Sequence, residues 1–214
     1  MNAGGTRQKS AFTLIEVIAI AVAIALFLVL MLVGVQHAKR EALKKQCVSN
    51  LRDIGISMRG FGIDPIPDSY MMVLGGMHRT PERLGETHRY FLSVTNELRT
   101  PNILICPADT KRSPAKSFEA LTTANLSYFI GVDSGDTVPS SFMAGDDNIT
   151  VNGLSPLPGL LQIPLTTPVA WTNDRHKKQG NILFGDGSVR DLSTPQLMTA
   201  LAATTFPANR LAMP

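Results

Sequence analysis

The longest uninterrupted pattern in the chain is apolar. From Val17 to Val35 nineteen consecutive residues, VIAIAVAIALFLVLMLVGV, carry no charge and no strongly polar side chain. A helix from Phe12 to Val35 is about 36 Å long at 1.5 Å per residue, more than the roughly 30 Å hydrocarbon core of a bilayer. The pattern predicts a membrane-spanning helix. A removable secretory signal is the competing reading, but such a signal has an apolar region of about 7–15 residues followed by a small-residue cleavage site. Here the run passes into Gln36-His37-Ala38-Lys39-Arg40 instead.

Beyond Val35 the pattern becomes amphipathic. Leu43, Cys47, Leu51, Ile54, Met58 and Phe61 are spaced by 4, 4, 3, 4 and 3, the spacing of one helical face, while Lys39, Arg40, Lys44 and Arg52 fall largely elsewhere. The helix therefore continues past the bilayer to about Phe61, roughly 75 Å in all, until Gly60, Gly62 and Asp64-Pro65-Ile66-Pro67 end it. Under three heptads is short for a coiled-coil stalk, so the stripe is expected to pack within its own chain.

The remainder alternates short apolar runs with Pro and Gly. Strands are expected at Ile103–Cys106, Leu126–Val132, Pro168–Thr172, Asn181–Gly185 and Ser188–Leu192. The last two meet at Asp186-Gly187, a pair suited to a two-residue type I′ hairpin turn. The chain thus reads as α+β: a long N-terminal helix, transmembrane in its first half and amphipathic in its second, packed on a small antiparallel β-sheet head. Trp171 is expected in the core or sheet.

Composition narrows the function. Hydrophobic residues make up 44% and charged residues 17%, and much of the apolar excess is the membrane segment. The net charge is +3; without Arg7 and Lys9 in the first eleven residues it is 18 − 17 = +1. No basic footprint for nucleic acid follows. Four basic residues, Lys39, Arg40, Lys44 and Lys45, follow the span against two before it, a bias that favours a cytoplasmic C-terminal part. HExxH, GxSxG, Walker and EF-hand patterns are all missing, so no enzyme activity is expected.

Glu16 is the exception in the apolar span. A carboxylate there costs a few kcal/mol or more without a partner, which makes it a functional candidate. The sequence around it, Lys9-Ser10-Ala11-Phe12-Thr13-Leu14-Ile15-Glu16, resembles the class III signal sequence of type IV prepilins and type II secretion pseudopilins. His176, nine intervening residues and Asp186-Gly187 resemble the H-x9-DG signature of a pseudopilin-like bacterial family. Cys47–Leu51 (CVSNL), Cys106–Asp109, Ser127-Tyr128-Phe129 and Ala144–Thr150 look similar to that family as well.

The resemblance implies a pilin-like fold and a defined life history. Residues 1–11 are a cytoplasmic leader, 12–35 the transmembrane helix, 36–62 its amphipathic continuation and 63–214 an exported head. A prepilin peptidase cuts between Ala11, where the family usually has Gly, and Phe12, which is then N-methylated. Glu16 neutralises the amine of a neighbouring subunit as the helices assemble. The partners are the membrane, the peptidase, other pilin-like subunits, and an assembly platform with its ATPase. The result is a structural subunit of a pseudopilus or related fibre for type II-like secretion or surface display, in the bacterial inner membrane with its head periplasmic. This orientation opposes the charge bias, and the leader motif is given precedence. The alternative is a single-span anchor that does not polymerise and whose head binds a ligand such as a polysaccharide.

Three further expectations concern the head. Exported, Cys47 and Cys106 either pair across a loop of about 60 residues or remain two buried thiols. His176 is expected to brace the base of the hairpin; a hydrolase built on His176 and Asp186 is the rival, without a nucleophile or metal set. No cofactor or metal is expected. The oxygen-rich stretches Asp146-Asp147-Asn148 and Asp133–Asp136 read as solvated loops, with calcium as their alternative because the type II major pseudopilins carry such a site. His37, His78 and His88 show no ligand spacing.

Overall fold

A computed structural model describes residues 14–60, 86–135 and 138–214. The expected cleavage and methylation site at Ala11 and Phe12, Phe61 with the helix stop after it, His78 and Asp136 lie outside the described residues. The chain divides into two units, Met1–Glu41 and Ala42–Pro214. One helix, α1 (Leu14–Gly60), belongs to both.

In the first unit α1 has the composition the sequence predicts for a membrane span, and it is long and apolar enough to cross one. Large apolar side chains from Leu14 to Val35 are each more than half exposed. Glu16 lies in the first turn, where the helix dipole favours negative charge.

In the second unit six strands form one antiparallel sheet: β1 (Tyr128–Gly131), β2 (Phe142–Asp146), β4 (Gly159–Pro164), β6 (Gln179–Phe184), β7 (Val189–Ser193) and β8 (Ala208–Met213). Their order is β4-β8-β1-β2-β6-β7. Pro164 is accommodated because β4 is an edge strand. A separate pair, β3 (Ile149–Val151) and β5 (Val169–Trp171), joins Ile149 to Trp171. Among the described residues two short α-helices complete the unit, α2 (Thr87–Leu92) and α3 (Thr194–Ala202). The latter starts at a capping box between Ser193 and Gln196, with Pro195 in its first turn.

Both faces of the sheet are covered. On one, the stripe Cys47, Leu51, Ile54 and Met58 of α1 packs with Tyr128, Ile130, Ala144, Leu183 and Ala212. On the other, Phe129, Phe142, Ile182, Phe184, Leu211 and Met213 pack with Leu197 and Leu201 of α3 and with Trp171. Residues alternate between the two cores along β1, β6 and β8, as the pleat requires. In β2 the register shifts between Phe142 and Ala144, an irregularity that leaves Phe142 in one core and Ala144 in the other.

Two expectations are corrected here. Ile103–Cys106 is not a strand: Pro101–Leu104 is a 3-10 turn, because Pro101 fixes a helical φ at its first position and the Thr100 hydroxyl accepts from the Asn102 N–H. The hairpin loop has three residues rather than two. Phe184 N–H donates to Ser188 O at 2.9 Å, Gly187 N–H donates to Phe184 O at 2.8 Å, and Gly187 alone of the loop has positive φ, +79°. This is a turn closed by a left-handed glycine, the three-residue solution that also fits the twist of the strands.

Candidate functional site

The β6–β7 hairpin and the second half of α1 are fastened at two points. At the strand ends, Lys44 Nζ lies 2.6 Å from Asp191 Oδ2 and donates to Gln179 Oε1 at 2.8 Å. At the turn, the Arg59 guanidinium donates to Gly185 O and lies over Gly187, where a Cβ would run into it. Fifteen helical residues from Lys44 to Arg59 span about 22 Å, and six strand residues from Gln179 to Gly185 span about 20 Å. The lengths match, so the two clasps close without distortion of either element.

His176 and Asp186, paired in the sequence signature, stand at opposite ends of β6. Asp186 is exposed and organises the turn by accepting from Ser188 N–H at 2.8 Å and pairing with Arg190 at 3.1 Å. His176 is buried before the strand, followed by Lys177 and Lys178, both left-handed at φ 54° and 61°. Its contacts are elsewhere: Nε2 is 3.3 Å from Cys106 Sγ and 3.6 Å from Asp146 Oδ2. The hydrolase pairing is therefore overturned by separation along the strand.

Cys47 and Cys106 form a disulfide with Cα atoms 5.2 Å apart, joining α1 to the loop after the 3-10 turn. Both cysteines are buried. Asn50, one turn further along α1, donates to Ile105 O at 3.1 Å and seals the same junction.

Beside the disulfide is a buried ionic cluster that the sequence pattern did not reveal. The solvated-loop expectation for Asp146-Asp147-Asn148 is corrected: all three are buried. Asp146 Oδ2 accepts from Asn181 N–H at 2.7 Å and Asn181 Nδ2 at 2.9 Å. Its Oδ1 has no hydrogen-bond partner among the described residues and lies 3.9 Å from Arg175 Nη1. Arg175 also pairs with Asp147 and, at 3.3 Å, with Asp109, and it donates to Ser127 O at 2.8 Å. Arg112 pairs with Asp147 at 2.5 Å. Asp133, in the other oxygen-rich stretch, is paired with Arg210.

Burial and partners set the protonation of this cluster. Burial pushes the Asp146 carboxyl up, more than His176, Arg175 and the Asn181 donors pull it down. Burial likewise pushes the His176 imidazole down, favouring its neutral form, although Asp146 acts in the opposite direction. For Asp109, burial is outweighed by Arg175, the Lys111 N–H and the Ser127 hydroxyl, which hold it below the usual carboxylate range.

A cleft of about 160 Å³ opens beside the cluster, lined among others by Asp109, Arg112, Asp147, Asn148, Asp174 and Arg175. Its charges are largely paired with one another. The sequence signals at this place were Cys47, Cys106 and His176, with Asp109 and Asp146 inside stretches that resemble the family but without an ionic role assigned to them; Arg175 and Arg59 carried no motif, although Arg175 adjoins His176 in the chain. The chain matches no protein-family model, no curated protein and no solved structure.

Proposed function

We propose that the protein is a membrane-anchored, pseudopilin-like structural subunit that assembles through the apolar part of α1 and has no catalytic role. The observation carrying this reading is the first unit itself. Apolar side chains around α1 from Leu14 to Val35 are more than half exposed, with Glu16 the one acid among them. Such a surface requires cover, and lipid supplies it before assembly while parallel copies supply it afterwards. After cleavage before Phe12 by a prepilin peptidase, Glu16 is the fifth residue of the mature chain, four positions after the new amine, and sets the register between neighbours. An assembly platform and its ATPase supply the work of extraction from the bilayer.

The disulfide supports an extracytoplasmic head, because such bonds persist in oxidising compartments. A second reading, a non-polymerising anchor with a ligand-binding head, is favoured by the polar cleft with the buried Asn148 amide, which has no hydrogen-bond partner among the described residues. Glu16→Ala in the native membrane separates the two. Loss of cross-linked multimers, with the chain still inserted, supports assembly; unchanged multimers or their absence in the wild type favours the anchor. Mass spectrometry of the mature N-terminus is expected to find methylated Phe12, and an intact Met1 removes the prepilin reading.

A further inference from the structure

We propose that, once the Cys47–Cys106 bond is reduced, Cys47, Cys106, His176 and Asp146 form a tetrahedral zinc site inside the head. Three of the four ligand atoms are already gathered, and the fourth stands beside one of them. Both sulfurs and a ring nitrogen of His176 lie within 4.8 Å of one another, all on buried residues, and Asp146 Oδ2 is 3.6 Å from His176 Nε2. Zinc bonds of about 2.3 Å to sulfur and about 2.0–2.1 Å to nitrogen or oxygen, at tetrahedral angles, set a sulfur–nitrogen edge of about 3.6 Å and a nitrogen–oxygen edge of about 3.3 Å. The corresponding separations here are 3.3 and 3.6 Å. The Asp146 carboxylate, which lies outside the 4.8 Å group of the other three ligand atoms, must close on them, and the sulfurs must part, from the roughly 2.05 Å of any disulfide to about 3.8 Å. A change of χ1 rotamer at either cysteine moves its sulfur further than that.

Charge and orientation fit as well. Two thiolates and one carboxylate around Zn²⁺ leave one negative charge, and Arg175 stands 3.9 Å from Asp146 to balance it. Asn181 holds Asp146 Oδ2 with two hydrogen bonds and so fixes the carboxylate beside His176, while Oδ1, which accepts none among the described residues, is the oxygen left to turn onto the metal. Two thiolates with imidazole and carboxylate suit zinc over harder cations.

The chemistry is exclusive in its two states. A phosphine reductant breaks the sulfur–sulfur bond and takes up oxygen from water, leaving phosphine oxide and two thiols. Zinc then displaces the two thiol protons into solvent as the metal–sulfur bonds form. A two-electron oxidant reverses this, expelling the metal. Either way α1 is fastened to the same loop, so the head keeps one cross-link whichever redox state it meets.

The test uses the full chain in detergent micelles, reduced with a phosphine and titrated with Co²⁺. One cobalt per chain with a thiolate-to-cobalt charge-transfer band is expected, displaced by one equivalent of Zn²⁺, with no band in the oxidised chain. His176→Ala is expected to weaken cobalt binding at least about tenfold. X-ray absorption of the zinc-loaded wild type, which avoids any folding defect of the variant, is expected to count two sulfur and two nitrogen or oxygen ligands. No band in the reduced chain, an equal band in the oxidised chain, undiminished binding by the variant, or another ligand count each overturns the proposal. So does a reduced chain that loses its circular dichroism and does not recover it with zinc.

Discussion

Nε2 of His176 lies 3.3 Å from Sγ of Cys106, so the imidazole seals the buried side of the bond between α1 and the head. The cysteines are separated by 59 positions. Closing a loop of that size removes unfolded-state entropy worth about 4 kcal/mol in the chain-entropy model. A Cys47→Ser, Cys106→Ser chain in micelles is therefore expected to unfold with a free energy lower by about that amount, at a denaturant slope equal to or steeper than the wild type's because its unfolded state is less compact. Equal stability of the two chains by urea titration would show that the link contributes nothing.

His176 also predicts an acid-sensitive head. Burial lowers its folded pKa below 6.5, against Asp146 and Asp191, which raise it, and with Arg175 and Lys44, which lower it further. Below pH 6.5 the unfolded chain then binds more protons than the folded one, so this residue's contribution is present above 6.5 and is lost as pH falls toward the folded value. Asp146, raised by burial, acts with the opposite sign above its unfolded value near 3.8. Comparison of the wild type with His176→Gln isolates the imidazole: the urea midpoint of the wild type is expected to fall more steeply as pH drops below 6.5. Parallel profiles would remove His176 as the titrating group.

How far the sequence discloses this architecture depends on whether a signal is local. The α1 stripe is readable because Cys47, Leu51, Ile54 and Met58 recur with the helical period, and all four are buried. Strands β1, β5, β6 and β7 are readable as short apolar runs between turn residues. The others are not: β2 ends in Asp146 and resembles an acidic loop, β4 is bounded by Gly159 and Pro164, and β8 carries Asn209 and Arg210. Both faces of β2 are buried, so no alternation marks it. The cluster around Arg175 was hidden for a related reason. A carboxylate such as Asp146 is read as solvated until the distant donors of Asn181 and Arg175 are known to converge on it. The three-residue hairpin loop was misread because Asp-Gly fits two loop lengths, and the choice rests on the Phe184–Ser188 pairing.

Arg175 neutralises three carboxylates, and its side chain is 6% exposed. Arg175→Met leaves Asp109 and Asp147 with fewer counter-charges in a dry setting, and the expected loss is about 3–5 kcal/mol, the range for breaking a buried ion pair from one side. Arg175→Lys is not expected to restore it, because three donors on a single nitrogen do not reproduce the planar five-donor guanidinium that reaches Asp109, Asp147 and Ser127 O together. Thermal unfolding of both variants checks this, and a loss under about 1 kcal/mol for the Met variant would mean the cluster relaxes or hydrates.

The clasp at the hairpin tip gives the last prediction. Gly187 has φ +79° and lies under the Arg59 guanidinium, so Gly187→Ala meets two separate penalties. The left-handed backbone alone costs about 1–2 kcal/mol for an L-residue. Displacement of Arg59 adds the loss of its bond to Gly185 O, about another 1 kcal/mol or more for a charged donor. In an Arg59→Ala background the second penalty has already been incurred, so the same glycine substitution is expected to cost only the backbone strain. A double-mutant cycle by urea unfolding should therefore show a coupling of about 1 kcal/mol between positions 59 and 187. If the two substitutions add independently, Arg59 does not clasp the turn, and the length match between the helix and the hairpin has no energetic consequence at that end.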